Sequence, residues 1–276
     1  MNGDRNELLR GMADAAVAAG AAIMAIYDSD FAVETKSDSS PVTAADAAGE
    51  AVILEALARL APDIPVVAEE EAAAGRIPDT DGHFFLVDPL DGTKEFVSRN
   101  GDFTVNIALI EDYAPSLGVV FTPVEGRLFL GDVRAAEAWS AAVDSRGVIE
   151  AWEPLNIRSA PVDGLAAVAS RSHNSPATEA YLDQFDVASR VSRGSSLKIC
   201  MVACGEADLY PRLAPTMEWD IAAGDAVLRA AGGTLSAPDG SPMVYGKPRF
   251  FNPGFVAAGD VQAPPIAPFL SSTATD

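Results

Sequence analysis

Cysteine, histidine and positive charge are scarce in this chain, and each shortage removes a class of function. The 276 residues include two cysteines, Cys200 and Cys204, and two histidines, His83 and His173. Two cysteines spaced i, i+4 in Ile199-Cys200-Met201-Val202-Ala203-Cys204 are not a Cys-x-x-Cys motif. They read as small buried helix residues in a reducing compartment. Two histidines are too few for a His-based zinc site, so metal chemistry here has to use oxygen ligands, which suit Mg²⁺, Mn²⁺ or Ca²⁺. Lys and Arg number 19 against 40 Asp and Glu, a net charge of −21. That balance excludes a nucleic-acid polymer as partner. It also repels phosphate substrates at long range, unless bound cations invert the local field.

Long apolar runs are scarce too. Ala15 to Tyr27 follows Asp4, Arg5, Glu7, Arg10 and Asp14, which do not form the basic n-region of a signal peptide. The run is too short to cross a bilayer, so it reads as a core helix of a cytoplasmic protein, peripheral at most to the inner membrane, with no integral membrane segment.

What the chain does have is one stretch around which the rest is organised, Val87-Asp88-Pro89-Leu90-Asp91-Gly92-Thr93-Lys94-Glu95-Phe96. Phe84 to Val87 reads as a buried strand ending at Asp88, because Pro89 cannot continue a ladder. Gly92 permits a reversal, and Thr93 opens a helix. Two carboxylates and a hydroxyl at a strand-to-helix turn suit a divalent metal holding a phosphate. The same residues also make an ordinary Asp-Pro, Asp-Gly turn.

Before this stretch, helical spacing covers residues 5–27, and Thr43-Ala44-Ala45-Asp46 has the form of a capping box opening a second helix to about Leu60. Pro65 to Ala68 is a strand ending in Glu69-Glu70-Glu71. After it, Phe103–Ile110, Leu117–Phe121, Arg127–Leu130 and Ala138–Val143 read as an antiparallel meander. A compositional change near Asp144–Ser159 divides the chain into an α+β half, residues 1–150, and an α/β half, residues 151–276. In the second half Leu165–Ala169, Val187–Val191, Ala207–Tyr210 and Phe255–Ala258 are strands. Ser175–Phe185, Ser195–Cys204 and Trp219–Ala231 are helices. Asp220 stands in the first turn of the last of these helices, and Gly232-Gly233 ends it.

Taken together, Asp46, Glu69-Glu70, Asp88-Pro89-Leu90-Asp91-Gly92-Thr93, Trp219-Asp220 and Gly232-Gly233 resemble the lithium-sensitive, Mg²⁺-dependent phosphatases of the inositol monophosphatase superfamily. Ser40 to Asp46, Asp91 to Phe96, Asn100 to Ile110, Ser170-Arg171-Ser172-His173, Gly194 to Lys198 and Ala207 to Arg212 are most similar to its bacterial 3′(2′),5′-bisphosphate nucleotidases of the CysQ type. The resemblance implies a layered αβαβα sandwich of mixed α+β and α/β character, shared with fructose-1,6-bisphosphatase.

It also implies site roles. Glu69, Asp88 and the Leu90 carbonyl would hold one Mg²⁺, and Asp88, Asp91 and Asp220 a second. A third, weaker ion would lie near Glu69. The catalytic set would be Asp46, Thr93 and Glu69, with Asp46 and Thr93 orienting the attacking water. Glu69, Leu90, Asp91, Gly92, Thr93, Ser195, Arg212 and Asp220 would meet the substrate. Arg212 suits a second phosphate better than a polyol, or else forms a surface ion pair.

The implied activity is hydrolysis of the 3′-phosphate of adenosine 3′,5′-bisphosphate to AMP, with 3′-phosphoadenylyl sulfate as a second target and a link to sulfur assimilation. The implied enzyme is a monomer or homodimer. Alternatives are an inositol or sugar-bisphosphate phosphatase with the same metal core, and a non-catalytic metal-binding protein. Asp79-Thr80-Asp81-Gly82 does not support a calcium loop, because Ile77 occupies its first acidic position.

Overall fold

The computed structural model describes residues 2–35, 41–170 and 175–270. The chain starts with α1 (Asn2–Tyr27), the paired strands β1 (Val33–Thr35) and β2 (Pro41–Thr43), and α2 (Ala44–Leu60). Next come β3 (Val66–Ala68), α3 (Glu69–Ala73), β4 (His83–Asp91) and α4 (Thr93–Val97). A meander follows, made of β5 (Thr104–Glu111), β6 (Ala114–Thr122), β7 (Arg127–Asp132), β8 (Glu137–Ala142) and β9 (Glu153–Leu155). The remainder is β10 (Leu165–Ser170), α5 (Pro176–Leu182), β11 (Val187–Arg193), α6 (Leu197–Ala203), β12 (Leu209–Arg212), β13 (Thr216–Met217), α7 (Glu218–Ala230), β14 (Thr234–Ser236), β15 (Phe251–Asn252) and β16 (Phe255–Ala258).

The alternation of side chains along β4 shows how the layers form. Successive strand residues point to opposite faces. Phe85 and Val87 join Leu9, Met12, Ala16, Ile23, Ile53 and Leu57 of α1 and α2 in one core. Phe84 and Leu86 join Ile199 and Val202 of α6, Ile221 and Val227 of α7, and Tyr210, Leu235 and Phe255 of a second sheet. The far face of that second sheet, at Ala167, Leu209 and Val256, packs on Tyr181 and Leu182 of α5. The order of layers is therefore helix, sheet, helix, sheet, helix, the expected αβαβα sandwich.

The first sheet runs β3-β4-β5-β6-β7-β8-β9, antiparallel except for the parallel pair β3 and β4. The second runs β11-β10-β12-β16-β14, with β10 parallel to both its neighbours and the remaining pairs antiparallel. Helix α7 lies close on the first sheet. A Cβ added at Gly118 of β6 would come 2.4 Å from the Ala223 carbonyl oxygen, and one at Gly131 of β7 would come 2.6 Å from Val227 Cα. Glycine is required there by this close approach.

Several expected boundaries change. Strand β4 does not stop at Asp88. It pairs Asp88 with Asn106 and, after a bulge over Pro89 and Leu90, Asp91 with Thr104. Proline breaks the ladder only locally, because Asp88 Oδ1 accepts the Leu90 N–H at 3.0 Å and the strand resumes. The triple Glu begins the short helix α3 and does not merely close a strand. The expected division at residue 150 falls just before β9, which still belongs to the first sheet, and one hydrophobic core spans both halves. Residues 36–40 and 171–174, including Arg171 and His173, lie outside the described residues.

The apolar run expected to be too short for a membrane is part of a longer helix. Asp4–Tyr27 has the length and composition of a span. However, its Leu9, Met12, Ala13, Ala16, Ala19 and Ile23 are buried in the core, and Arg5 ties it to Glu111 and Asp132 at 2.8 and 2.9 Å.

Candidate active site

The first acid of the site is fixed by a helix start. Thr43 caps α2 by accepting the Ala45 N–H at 3.1 Å. Asp46, in the first turn, answers by accepting the Thr43 N–H at 2.7 Å and the Thr43 hydroxyl at 3.0 Å, both on Oδ2. Its other oxygen, Oδ1, accepts the Thr93 hydroxyl at 3.2 Å. Asp46 is buried, so its oxygens are committed on both sides.

Thr93 stands at the first position of α4. Gly92 precedes it at φ +98°, where a Cβ would meet the Asp102 carbonyl oxygen at 3.1 Å. The left-handed turn brings Thr93 Oγ1 back to 3.4 Å from the Leu90 carbonyl.

Glu69 opens α3, and a residue that the sequence reading did not single out holds that start. Glu50, one turn beyond Asp46 on α2, accepts the Glu70 N–H at 2.8 Å and the Glu71 N–H at 3.1 Å. Burial pushes the Glu50 carboxyl up to about 7, against the pull of the Glu70 amide. The i, i+4 spacing of Asp46 and Glu50 was the available signal.

The remaining carboxylates gather at the end of β4. Asp88 is buried, and burial first, then the charges of Glu69, Asp91 and Asp220, drive its carboxyl well above the usual range. Asp220 is the third residue of α7. It accepts the Met217 N–H at 3.0 Å and the Thr216 hydroxyl. Burial, then Asp91, raises its carboxyl to about 6.

Ser196 joins the two halves. Its N–H donates to Asp91 Oδ2 at 2.6 Å, its hydroxyl donates to the Asp220 carbonyl, and that same oxygen accepts Asn106 Nδ2 at 3.1 Å. Asn106 Oδ1 is buried without a hydrogen-bond partner among the described residues. Gly194-Ser195-Ser196 reads as a helix opening whose N–H groups and hydroxyls suit a ribose or an anion, yet Ser196 commits its N–H and hydroxyl to Asp91 and Asp220, partners too remote in sequence for any local pattern to show.

Glu69, Asp91, Gly92, Thr93, Ser195, Arg212 and Asp220 line one cleft of about 250 Å³, with Asp46, Asp88 and Leu90 buried behind it. Ser195 adopts φ +49°. Among the described residues Arg212 forms no ion pair. Its Nε and Nη2 donate to the carbonyls of Ala214 and Pro215 at 3.3 and 2.9 Å.

The donor set fits Mg²⁺. All the candidate donors are hard oxygens, and the mutual repulsion felt at Asp88 is what a cation relieves. Among the described residues no three acidic, His or Cys side chains are gathered closely enough to cage an ion. Mg²⁺ takes few protein ligands and completes its shell with water and phosphate, so an open arrangement suits it.

The match to the model of the inositol monophosphatase family covers residues 4–263. The chain belongs to the inositol monophosphatase family. Members of this family are metal-dependent phosphatases, generally using Mg²⁺. A 3′(2′),5′-bisphosphate nucleotidase CysQ of Shigella flexneri is 46% identical over 244 residues, covering 86% of this chain and 94% of that protein. The crystal structure of CysQ from Bacteroides thetaiotaomicron superposes with a TM-score of 0.74 at 37% identity, covering 92% of this chain and 97% of that one. An inositol monophosphatase structure from Anabaena gives 0.72 at 26% identity, covering 92% of each chain. For a member of this family, the cleft has a mixed lining. Lys94, Lys198 and Arg212 share it with Glu69, Asp91, Glu95 and Asp220.

Proposed function

We propose that this chain is a Mg²⁺-dependent phosphomonoesterase that removes the 3′-phosphate of adenosine 3′,5′-bisphosphate to give AMP and phosphate, with 3′-phosphoadenylyl sulfate as a second substrate. The observation that carries catalysis over metal storage is the Thr93 hydroxyl on Asp46 Oδ1, at 3.2 Å, beside the acidic cluster. The similarity to bisphosphate nucleotidases supports the choice of substrate.

Glu69, Asp88 and the Leu90 carbonyl would hold one Mg²⁺, Asp88, Asp91 and Asp220 a second, and Glu69 would help to hold a third. Bound there, the ions supply Lewis-acid polarisation of the phosphoryl and ester oxygens. The protein's own groups handle the water. Asp46 is pinned through Oδ2 by Thr43 and so presents Oδ1 to Thr93 in a fixed direction. Thr93 Oγ1, having donated its proton to that bond, offers a lone pair to a water in the cleft. A proton leaving the water passes to Thr93 Oγ1 as the Thr93 proton moves to Asp46 Oδ1. Ser196 holds Asp91 and the backbone of Asp220 in place across the two halves. Ser195 and Arg212 face the rest of the substrate.

The free thiols Cys200 and Cys204 fit a cytoplasmic setting, and burial pushes the Cys204 thiol up to about 11, which makes it unreactive. The test is phosphate release with Mg²⁺ from adenosine 3′,5′-bisphosphate, inositol 1-phosphate and fructose 1,6-bisphosphate. The nucleotide is expected to have the highest kcat/KM. Preference for either of the others overturns the assignment.

A further inference from the structure

The segment between β14 and β16 makes contacts that the chemistry above does not use. Residues 243–252 form a strap that folds back over α7 and is gripped there three times. Arg229 donates to the Met243 carbonyl at 2.9 Å. The Tyr245 hydroxyl donates to Asp225 Oδ2 at 2.7 Å. Glu218, the first residue of α7 and 0% exposed, makes the third grip. Its Oε2 accepts the Gly246 N–H at 2.6 Å. Its Oε1 accepts the Lys247 N–H at 2.9 Å and lies 2.7 Å from Lys247 Nζ.

The helix dipole favours a carboxylate at a helix start that still faces water, so it gives no reason to bury Glu218 completely. Burial strips the carboxylate of its hydration, and the three donors of the strap replace it. Residues two apart on a helix face nearly opposite ways. Glu218 therefore turns to the strap while Asp220 turns to the cleft.

Beyond this grip the strap passes through Arg249 and Phe250, both left-handed at φ +62° and +54°. Such a turn is unfavourable for residues with a Cβ and needs support from outside. Phe250 packs on Trp219, with ring centroids 6.0 Å apart. The strap then becomes β15, which pairs antiparallel with β13, Asn252 opposite Thr216 and Phe251 opposite Met217. Those two residues of β13 are the ones that hold the Asp220 carboxylate, since the Thr216 hydroxyl and the Met217 N–H both donate to its Oδ2.

We infer that Glu218 is a positioning residue for the reaction. By clasping Gly246 and Lys247 it anchors the strap, whose β15 braces β13 and so fixes the direction of the Asp220 carboxylate. This rests on the assignment of Asp220 to Mg²⁺ in the reading above. Without the clasp Asp220 keeps its charge but loses its fixed orientation, and the ion is held less tightly.

The test is a calorimetric titration of Mg²⁺ into the protein with inorganic phosphate present, well below Tm. Asp220→Asn identifies the binding step that depends on Asp220. In Glu218→Gln, which keeps the shape but turns an amide N–H₂ towards a strap donor, the dissociation constant of that step is expected to rise by about tenfold, the low end for a lost supporting partner. Tyr181→Phe, which loses a hydrogen bond to the Pro264 carbonyl in the far layer, is expected to lower Tm without moving that constant. Thr216→Val is expected to weaken the same step, and its combination with Glu218→Gln to weaken it by less than the product of the two factors, because both act through one line of support. If Glu218→Gln does not fold, Lys247→Met removes only the ion pair of the clasp and is expected to raise the constant by a smaller factor. A wild-type constant in the folded Glu218 or Lys247 variant, or fully independent effects in the double variant, overturns the inference. An Asp220→Asn protein that binds Mg²⁺ as the wild type does overturns the reading of Asp220 on which the inference rests.

Discussion

Replacing Ser196 by alanine isolates the junction that holds the two halves of the site together. The N–H that donates to Asp91 remains, while the hydroxyl that serves Asp220 and accepts from Asn106 is lost. The Asp220 carbonyl lies within α7, where the helix ladder still serves it. The main cost therefore falls on Asn106, which is fully buried and already has one oxygen unpartnered. Stranding its amide donor costs about 2 kcal/mol, the middle of the range for a buried unsatisfied group. For a chain of this size that lowers Tm by about 4–8 °C. Because Ser196 also orients residues assigned to Mg²⁺, the concentration needed for half-maximal turnover should rise by about tenfold, the low end for a lost supporting hydrogen bond. Thermal unfolding and a Mg²⁺ titration of phosphate release measure the two effects separately. In Ser196→Ala with Asn106→Leu both partners become apolar, so stability should largely recover, since removing a whole hydrogen-bonded pair is nearly neutral. The elevated Mg²⁺ requirement should persist. An unchanged Tm and an unchanged Mg²⁺ requirement in the single variant would refute this account of the junction.

Asp220→Asn should abolish turnover while far-UV circular dichroism stays native. An Asn variant with wild-type rate at low Mg²⁺ would remove Asp220 from the ligand set. Li⁺ should inhibit phosphate release at concentrations where K⁺ at equal ionic strength has no effect, and equal rates in the two salts would show that the site lacks a weakly held, replaceable Mg²⁺. Glu50 has a folded-state pKa raised to about 7, so the fold binds its proton more tightly than the unfolded chain does. Its contribution to stability is therefore present at pH values below about 4.5 and is lost as pH rises towards about 7. In metal-free buffer, denaturant titrations at pH 5, 6 and 7 should show a smaller decline for Glu50→Gln than for wild type, and parallel declines would exclude Glu50 as the source.

Local pattern was sufficient for much of this molecule, because the interactions that decide those features are themselves local. The cap at Thr43 and Asp46 spans three residues, and it forms as its motif implies. The run Phe84-Phe85-Leu86-Val87 has no polar face, which requires cover on both sides, and the two cores on either side of β4 supply it. The ordered set from Asp46 to Gly233 was enough to indicate the family, because an ordered combination is specific even when each of its pieces is common.

Tertiary structure decided what depends on partners far apart in the chain. The resumption of β4 after Pro89 needs β5 beside it, and the three-residue strand β9 has too few positions to show a period. Ser196 gains meaning only because Asp91 lies 105 residues away and Asn106 lies 90 away, so no window of sequence contains the three together. Lys198 closes the run Gly194 to Lys198 that carries part of the resemblance, but the sequence does not show its surroundings. Only the folded cleft shows it buried against an aromatic ring. Hydrophobic periodicity reports which face of an element turns inward, but it carries no information about which polar group waits there, and that pairing is settled by the packing of the layers.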